Sequence, residues 1–111
     1  TASEGILKKL LPVVDDFERA LAAFQSNQAA VDTTQEGIRL IYDKLMHLLQ
    51  QSGVQPMSLE KGTEFNPDLH EAVTQVPSED DALQGRIVDV VEKGYLLKEK
   101  ILRFAKVVTG A

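Results

Sequence analysis

Few residues in this chain have a type and spacing that could do chemistry. His70 is followed by Glu71, which superficially matches the opening of a zinc-protease helix motif. That motif needs a second His four residues on, and position 74 is Thr. His70 is therefore expected to be a hydrogen-bonded structural histidine. His47, the other histidine, falls on a helical pattern as a polar or mildly pH-responsive position. Asp15, Asp16 and Glu18 form an acidic cluster on paper. Adjacent residues on a helix point in different directions, so they read as a solvated surface rather than an acid pair. Lys61-Gly62-Thr63 lacks the upstream glycine of a phosphate loop. The chain has no Cys, which excludes a thiolate metal site and a disulfide framework. No catalytic constellation, metal site or cofactor is expected.

The segment Glu92–Val108 is more informative. It contains a Lys-Gly-Tyr turn and an apolar run, with the cations Lys93, Lys98, Lys100, Arg103 and Lys106 against the acids Glu92 and Glu99. A strand-turn-strand ribbon with a basic, β-branched face suits contact with another protein. Gly94 is expected to supply a positive-φ turn position. Tyr95 reads equally as an interface anchor or as internal packing.

These groups must be positioned by two kinds of element. Leu7, Leu10, Val14, Phe17, Leu21 and Phe24 recur at threes and fours, marking a helical stripe. Pro12 lies inside it and predicts a bend, or a helix that effectively begins there. Gln25–Thr33 reads as a loop. Thr33 and Glu36 offer a capping box for a second helix, which carries Ile38, Ile41, Leu45 and Leu48. Gly53 stands where a left-handed helix terminator belongs. Beyond it the period changes. Pro and Gly punctuate short runs about every ten residues, predicting strands near 54–59, 71–76, 86–92, 95–97 and 102–108, with an acidic loop at Glu79-Asp80-Asp81. The expected class is α+β, with a helical dimerisation domain over 1–53 and an all-β wing over 54–111.

Composition narrows the partners. With 111 residues, six aromatics and no Trp, the core is thin for a monomer, and burial against a partner is expected to help. Two helices cannot cover wide apolar faces alone, whereas a homodimer would close a four-helix bundle. A net charge of −5 argues against nucleic acid as the main ligand. The apolar runs are far too short for a membrane span, so no membrane association is expected.

Four blocks resemble the GrpE family of nucleotide-exchange factors, cochaperones of DnaK-type heat-shock chaperones. Leu10 to Leu21 (LLPVVDDFERAL) is similar to the family's LLPVxDxxERAL helix. Glu36-Gly37-Ile38 is similar to the start of its second bundle helix. Phe65-Asn66-Pro67 through His70-Glu71-Ala72-Val73 resembles its F[DN]PxxHEAV block. Lys93-Gly94-Tyr95 through Val108 resembles its terminal signature. The blocks span almost the whole chain in order. The family's long N-terminal paired helix has no counterpart here, as in a truncated core or a member without that stalk. Phe104 stands where the family usually carries Pro, so the local strand edge is expected to differ.

The resemblance implies a dimeric four-helix bundle followed by a small β-wing. It implies a partner, the nucleotide-binding domain of a DnaK-type chaperone, and a function, ADP release by favouring the open nucleotide cleft. It implies a bacterial cytoplasm or an organelle matrix. Carried over by motif position, the contact residues are Pro67, Val91, Lys100, Arg103 and Thr109. Leu10, Val14, Phe17, Leu21, Ile38, Ile41, Leu45, Leu48 and Gly94 are the structural and dimer positions. The bland reading beside this makes Val91 ordinary sheet core and the cations a solvated face. The rival function is a passive dimeric scaffold whose wing binds some other acidic surface.

Overall fold

A computed structural model describes residues 2–26, 33–78 and 80–111. The chain is α+β. Its elements run α1 (Ala2–Ser26), α2 (Thr33–Gln51), β1 (Val54–Pro56), β2 (His70–Val76), a 3₁₀ turn (Asp81–Leu83), β3 (Ile87–Glu92), β4 (Tyr95–Leu97), β5 (Lys100–Arg103) and β6 (Ala105–Gly110). Two compact units result, Thr1–Val54 and Gln55–Ala111.

In the first unit, α1 runs unbroken through Pro12. Of the two alternatives expected at Pro12, a bend or a helix start, the start is therefore corrected. Proline removes one donor, but neighbouring turns carry the helix past a single missing bond. α1 also extends to Ser26, two residues into the expected loop, α2 begins at its last residue, Thr33, and 27–32, with Val31, lie outside the described residues. Leu11, Val14 and Leu21 are buried on its inner face. The two helices meet through Phe17 and Tyr42, whose ring centroids lie 6.4 Å apart. The Tyr42 hydroxyl donates to Glu18 Oε2 at 2.7 Å. Glu18 is thus a structural acceptor rather than a solvated charge, while Asp16 pairs with Arg19 on the exposed surface. α2 ends as expected: Gly53 has φ 95°, and its N–H and that of Ser52 close on the carbonyls of Gln50 and Leu48.

Much apolar surface stays uncovered on these helices. Leu40 is 69% exposed, Ile41 59% and Leu48 52%. Leu10, Phe17, Ile38 and Leu45 are half-buried.

The second unit holds two three-stranded sheets, ordered β1-β4-β5 and β2-β6-β3. The run expected as one strand over 102–108 divides at Phe104, which is exposed. Its first half pairs with β4 as a hairpin, and its second half becomes the central strand of the other sheet. β6 runs parallel to β2 and antiparallel to β3. Ile87, Ala105 and Val107 form one core cluster of this unit, with Met57, Leu59, Phe65 and Val90 packed on them. Of the expected acidic loop, Glu79 lies outside the described residues, and Asp80 caps the 3₁₀ turn, its Oδ1 accepting the Ala82 N–H at 2.9 Å.

Gly94 corrects another expectation. The left-handed residue near this turn is Lys98, at φ 56°, in the β4–β5 connection; Gly94 is not among the positive-φ residues. Its glycine is required by space. A Cβ there would lie 2.5 Å from Met57 Sδ and 2.7 Å from the Ala105 nitrogen.

Candidate functional site

The expected contact residues are carried by both sheets of the second unit. Val91 and Thr109 lie in β3 and β6; Lys100 and Arg103 lie in β5. Pro67 is exposed in the turn that leads into β2.

Pro67 owes its place to a compact turn built on Asn66. The Asn66 carbonyl accepts the N–H groups of Leu69 at 3.0 Å and His70 at 2.8 Å. Its side-chain oxygen accepts the Asp68 N–H at 2.9 Å. Its own N–H donates to His70 Nδ1 at 3.0 Å. That bond needs a bare Nδ1, so His70 is neutral with its proton on Nε2. Burial also holds its pKa below the ordinary imidazole value. Phe65 packs beside it with ring centroids 5.9 Å apart. His70 is the structural histidine the sequence implied, and among the described residues no group of His, Asp or Glu could hold a metal.

Val91 is 62% exposed. The reason is register. Val90 pairs with Val107 and Glu92 with Lys106, so Val91 is the extra residue of a bulge. A bulge re-aims a side chain and bends its strand. Val73 on β2 arises the same way, between the Ala72–Val107 and Thr74–Val108 pairs, and is also exposed. Val91 is therefore not sheet core. Thr109 is the reverse case. It pairs with Ile87 and is only 3% exposed, so its side chain is not presented to a partner in this conformation.

Arg103 is engaged inside the unit. Its Nε and Nη2 both donate to the Lys93 carbonyl, at 3.0 and 2.8 Å. Its Nη1 lies 3.2 Å from Glu92 Oε1, and its side chain is 13% exposed. The guanidinium carbon sits 5.4 Å from the Tyr95 ring centroid. Lys106 completes the network at 3.5 Å from Glu92 Oε2. In this geometry the Arg103 fork is occupied by its own unit rather than presented outward. Lys100 is exposed at the start of β5. Tyr95 is fully buried, which favours the packing reading over the anchor reading.

Sequence reasoning missed Glu92 as the hub of this network. Its only early signal is an acid flanked by cations on strands that turn out to be neighbours. It also missed Met57, whose N–H donates to the Gly94 carbonyl at 2.9 Å. The surface that results is built from β3, β5 and the turn after Val91. It has an exposed apolar residue on a bulge beside a turn held from several sides, which suits recognition of a protein surface.

Comparison with known proteins decides the family. The GrpE family model matches residues 1–111. The chain belongs to the GrpE family. It is 43% identical to Protein GrpE of Parabacteroides distasonis over 112 residues, covering 99% of this chain and 56% of that relative. It is 41% identical to Protein GrpE of Porphyromonas gingivalis over 109 residues, covering 96% of this chain and 54% of the relative. It is 42% identical to Protein GrpE of Nitratiruptor over 110 residues, covering 94% of this chain and 59% of the relative. The chain thus spans a little over half the length of these GrpE relatives. No described helix is long and apolar enough to cross a membrane.

Proposed function

We propose that this GrpE-family chain is the partner-binding part of a nucleotide-exchange factor for a DnaK-type chaperone, acting by binding and not as an enzyme. The observation that carries this reading is the exposed Val91 bulge, beside the clamped Lys93-Gly94 turn, in a chain matched by the GrpE family over its full length. Val91 and Pro67 offer small apolar contacts, and Lys100 a cation for register, against the acidic lobe of the chaperone's nucleotide-binding domain.

The factor binds the open nucleotide cleft more tightly than the closed one. Linkage then requires ADP to bind more weakly whenever the factor is bound. A thousandfold loss of ADP affinity needs a preference of about 4 kcal/mol for the open cleft. The working compartment is the bacterial cytoplasm.

The helical unit is the homodimerisation element. Leu40, Ile41 and Leu48 remain largely exposed on α2, with Ile6 and Val13 on α1. A second copy covering these faces closes a four-helix bundle. The uncovered α2 stripe supports a dimer over a monomer.

The test is stopped-flow release of a fluorescent ADP from a bacterial DnaK-type chaperone. Micromolar protein accelerates release. An unchanged rate with saturating protein refutes exchange by this chain. Retained binding without acceleration would instead favour the passive scaffold.

A further inference from the structure

We infer that Arg103 is a positioning residue, which acts on the partner through Val91 by fixing the turn that follows it. This rests on the reading that Val91 meets the chaperone. Arg103 reaches from β5 to the end of β3 and the turn after it. Its contacts fall on Glu92, on the Lys93 carbonyl and on the Tyr95 ring. Those residues begin immediately after Val91. The remaining residue of the turn, Gly94, is pinned by close approach to Met57 and Ala105 and by the Met57 N–H.

Val91 itself has no paired position in the β3–β6 register. A bulged residue loses ladder support, so its direction depends on what holds the chain on either side. On one side the Val90–Val107 pair does this inside the core. On the other, Glu92 is held by two cations, Arg103 and Lys106, and only Arg103 also grips the Lys93 carbonyl. A planar guanidinium can bond a carbonyl and a carboxylate while lying over a ring; an ammonium cannot do all three. Presenting Val91 already ordered removes an entropic cost that docking would otherwise carry.

The experiment uses the full chain, Arg103→Lys, Val91→Ala and the double variant. Hydrogen exchange is read at the amides of 92–95, and affinity for the ADP-loaded nucleotide-binding domain of a bacterial DnaK-type chaperone is measured by titration. Arg103→Lys keeps the charge. It is expected to speed exchange at 92–95 about tenfold while exchange in β6 is unchanged, and to weaken binding about fivefold to tenfold. In the Val91→Ala background the same change weakens binding less than about twofold, because the residue it positions is gone. A full Arg103→Lys effect in that background makes Arg103 a direct contact or a general fold element, and overturns the inference. Unchanged exchange at 92–95 overturns it as well. If Arg103→Lys does not fold, Glu92→Gln removes one leg of the same clamp. It is expected to weaken binding about threefold with the same non-additivity, and additivity there is equally fatal. If the wild-type chain binds no chaperone domain while Arg103→Lys still speeds exchange, the functional reading fails although the clamp stands, and Arg103 has no partner to act on.

Discussion

Replacing Arg103 with Met keeps most of the unbranched stem and removes the guanidinium. Three interactions are lost or reduced. The paired donation to the Lys93 carbonyl, at 3.0 and 2.8 Å, is charge-assisted. Such bonds are worth about 1.5–3 kcal/mol, and the lower end applies because the carbonyl can rehydrate in an exposed residue. The Glu92 pair at 3.2 Å is partly open to solvent and contributes about 0.5–1 kcal/mol. The cation over Tyr95 contributes about 0.5–1 kcal/mol, part of which the Met thioether replaces. The expected loss is therefore about 2–3 kcal/mol. For a unit of 55–111 that unfolds separately, this lowers Tm by roughly 10–20 °C. Urea unfolding followed by circular dichroism gives the free energy, and repetition in 0.5 M salt, a deliberately high concentration, separates the parts. Salt weakens the Glu92 contribution and spares the carbonyl bonds. A loss below about 0.5 kcal/mol would show that the network of Arg103, Lys93, Glu92 and Tyr95 contributes nothing net, and the reasoning would fall.

Gly94→Ala should destabilise the second unit by about 2 kcal/mol or more, because the new methyl meets the Ala105 backbone as well as Met57; Met57→Ala should not rescue it, and thermal melts of the single and double variants check both statements. His70 is neutral when folded and its pKa is lowered, so the unfolded chain binds more protons at mildly acid pH. The stability it contributes is present above the ordinary imidazole value, near 6.5, and is lost as pH falls from there through the lower folded value. Chemical denaturation across that range should show this slope, and His70→Gln should flatten it. Ile41→Asp with Leu40→Asp should shift the chain from dimer to monomer in sedimentation while leaving the circular dichroism of the β unit intact; a dimer that persists would exclude the α2 face from the interface.

The parts of this molecule that the sequence reveals are those with a local cause. Helix stripes repeat at 3.6 residues, and Gly53 stops α2 because a left-handed residue must follow it. The break at Phe104 was visible only as a departure from the family's Pro, since the run around it reads as one strand. The two-sheet arrangement was hidden for a different reason: β6 pairs in parallel with β2 across some thirty residues of chain, and parallel register leaves no turn signature. Gly94 shows how a correct residue can be credited to the wrong cause. Sequence marks a glycine as needed, but φ freedom and steric exclusion leave the same letter. The same limit governs the candidate site. A strand pattern assigns alternate residues to alternate faces, so Val91 and Thr109 could not be told apart as core or surface until the bulges broke the alternation. Arg103 is placed among the partner contacts by motif position, and the bland alternative makes it part of a solvated face. What the guanidinium meets in the fold is a backbone carbonyl, and carbonyls carry no sequence identity. An Arg whose fork is filled by the main chain of a turn ten residues earlier therefore calls for a folded structure to be recognised.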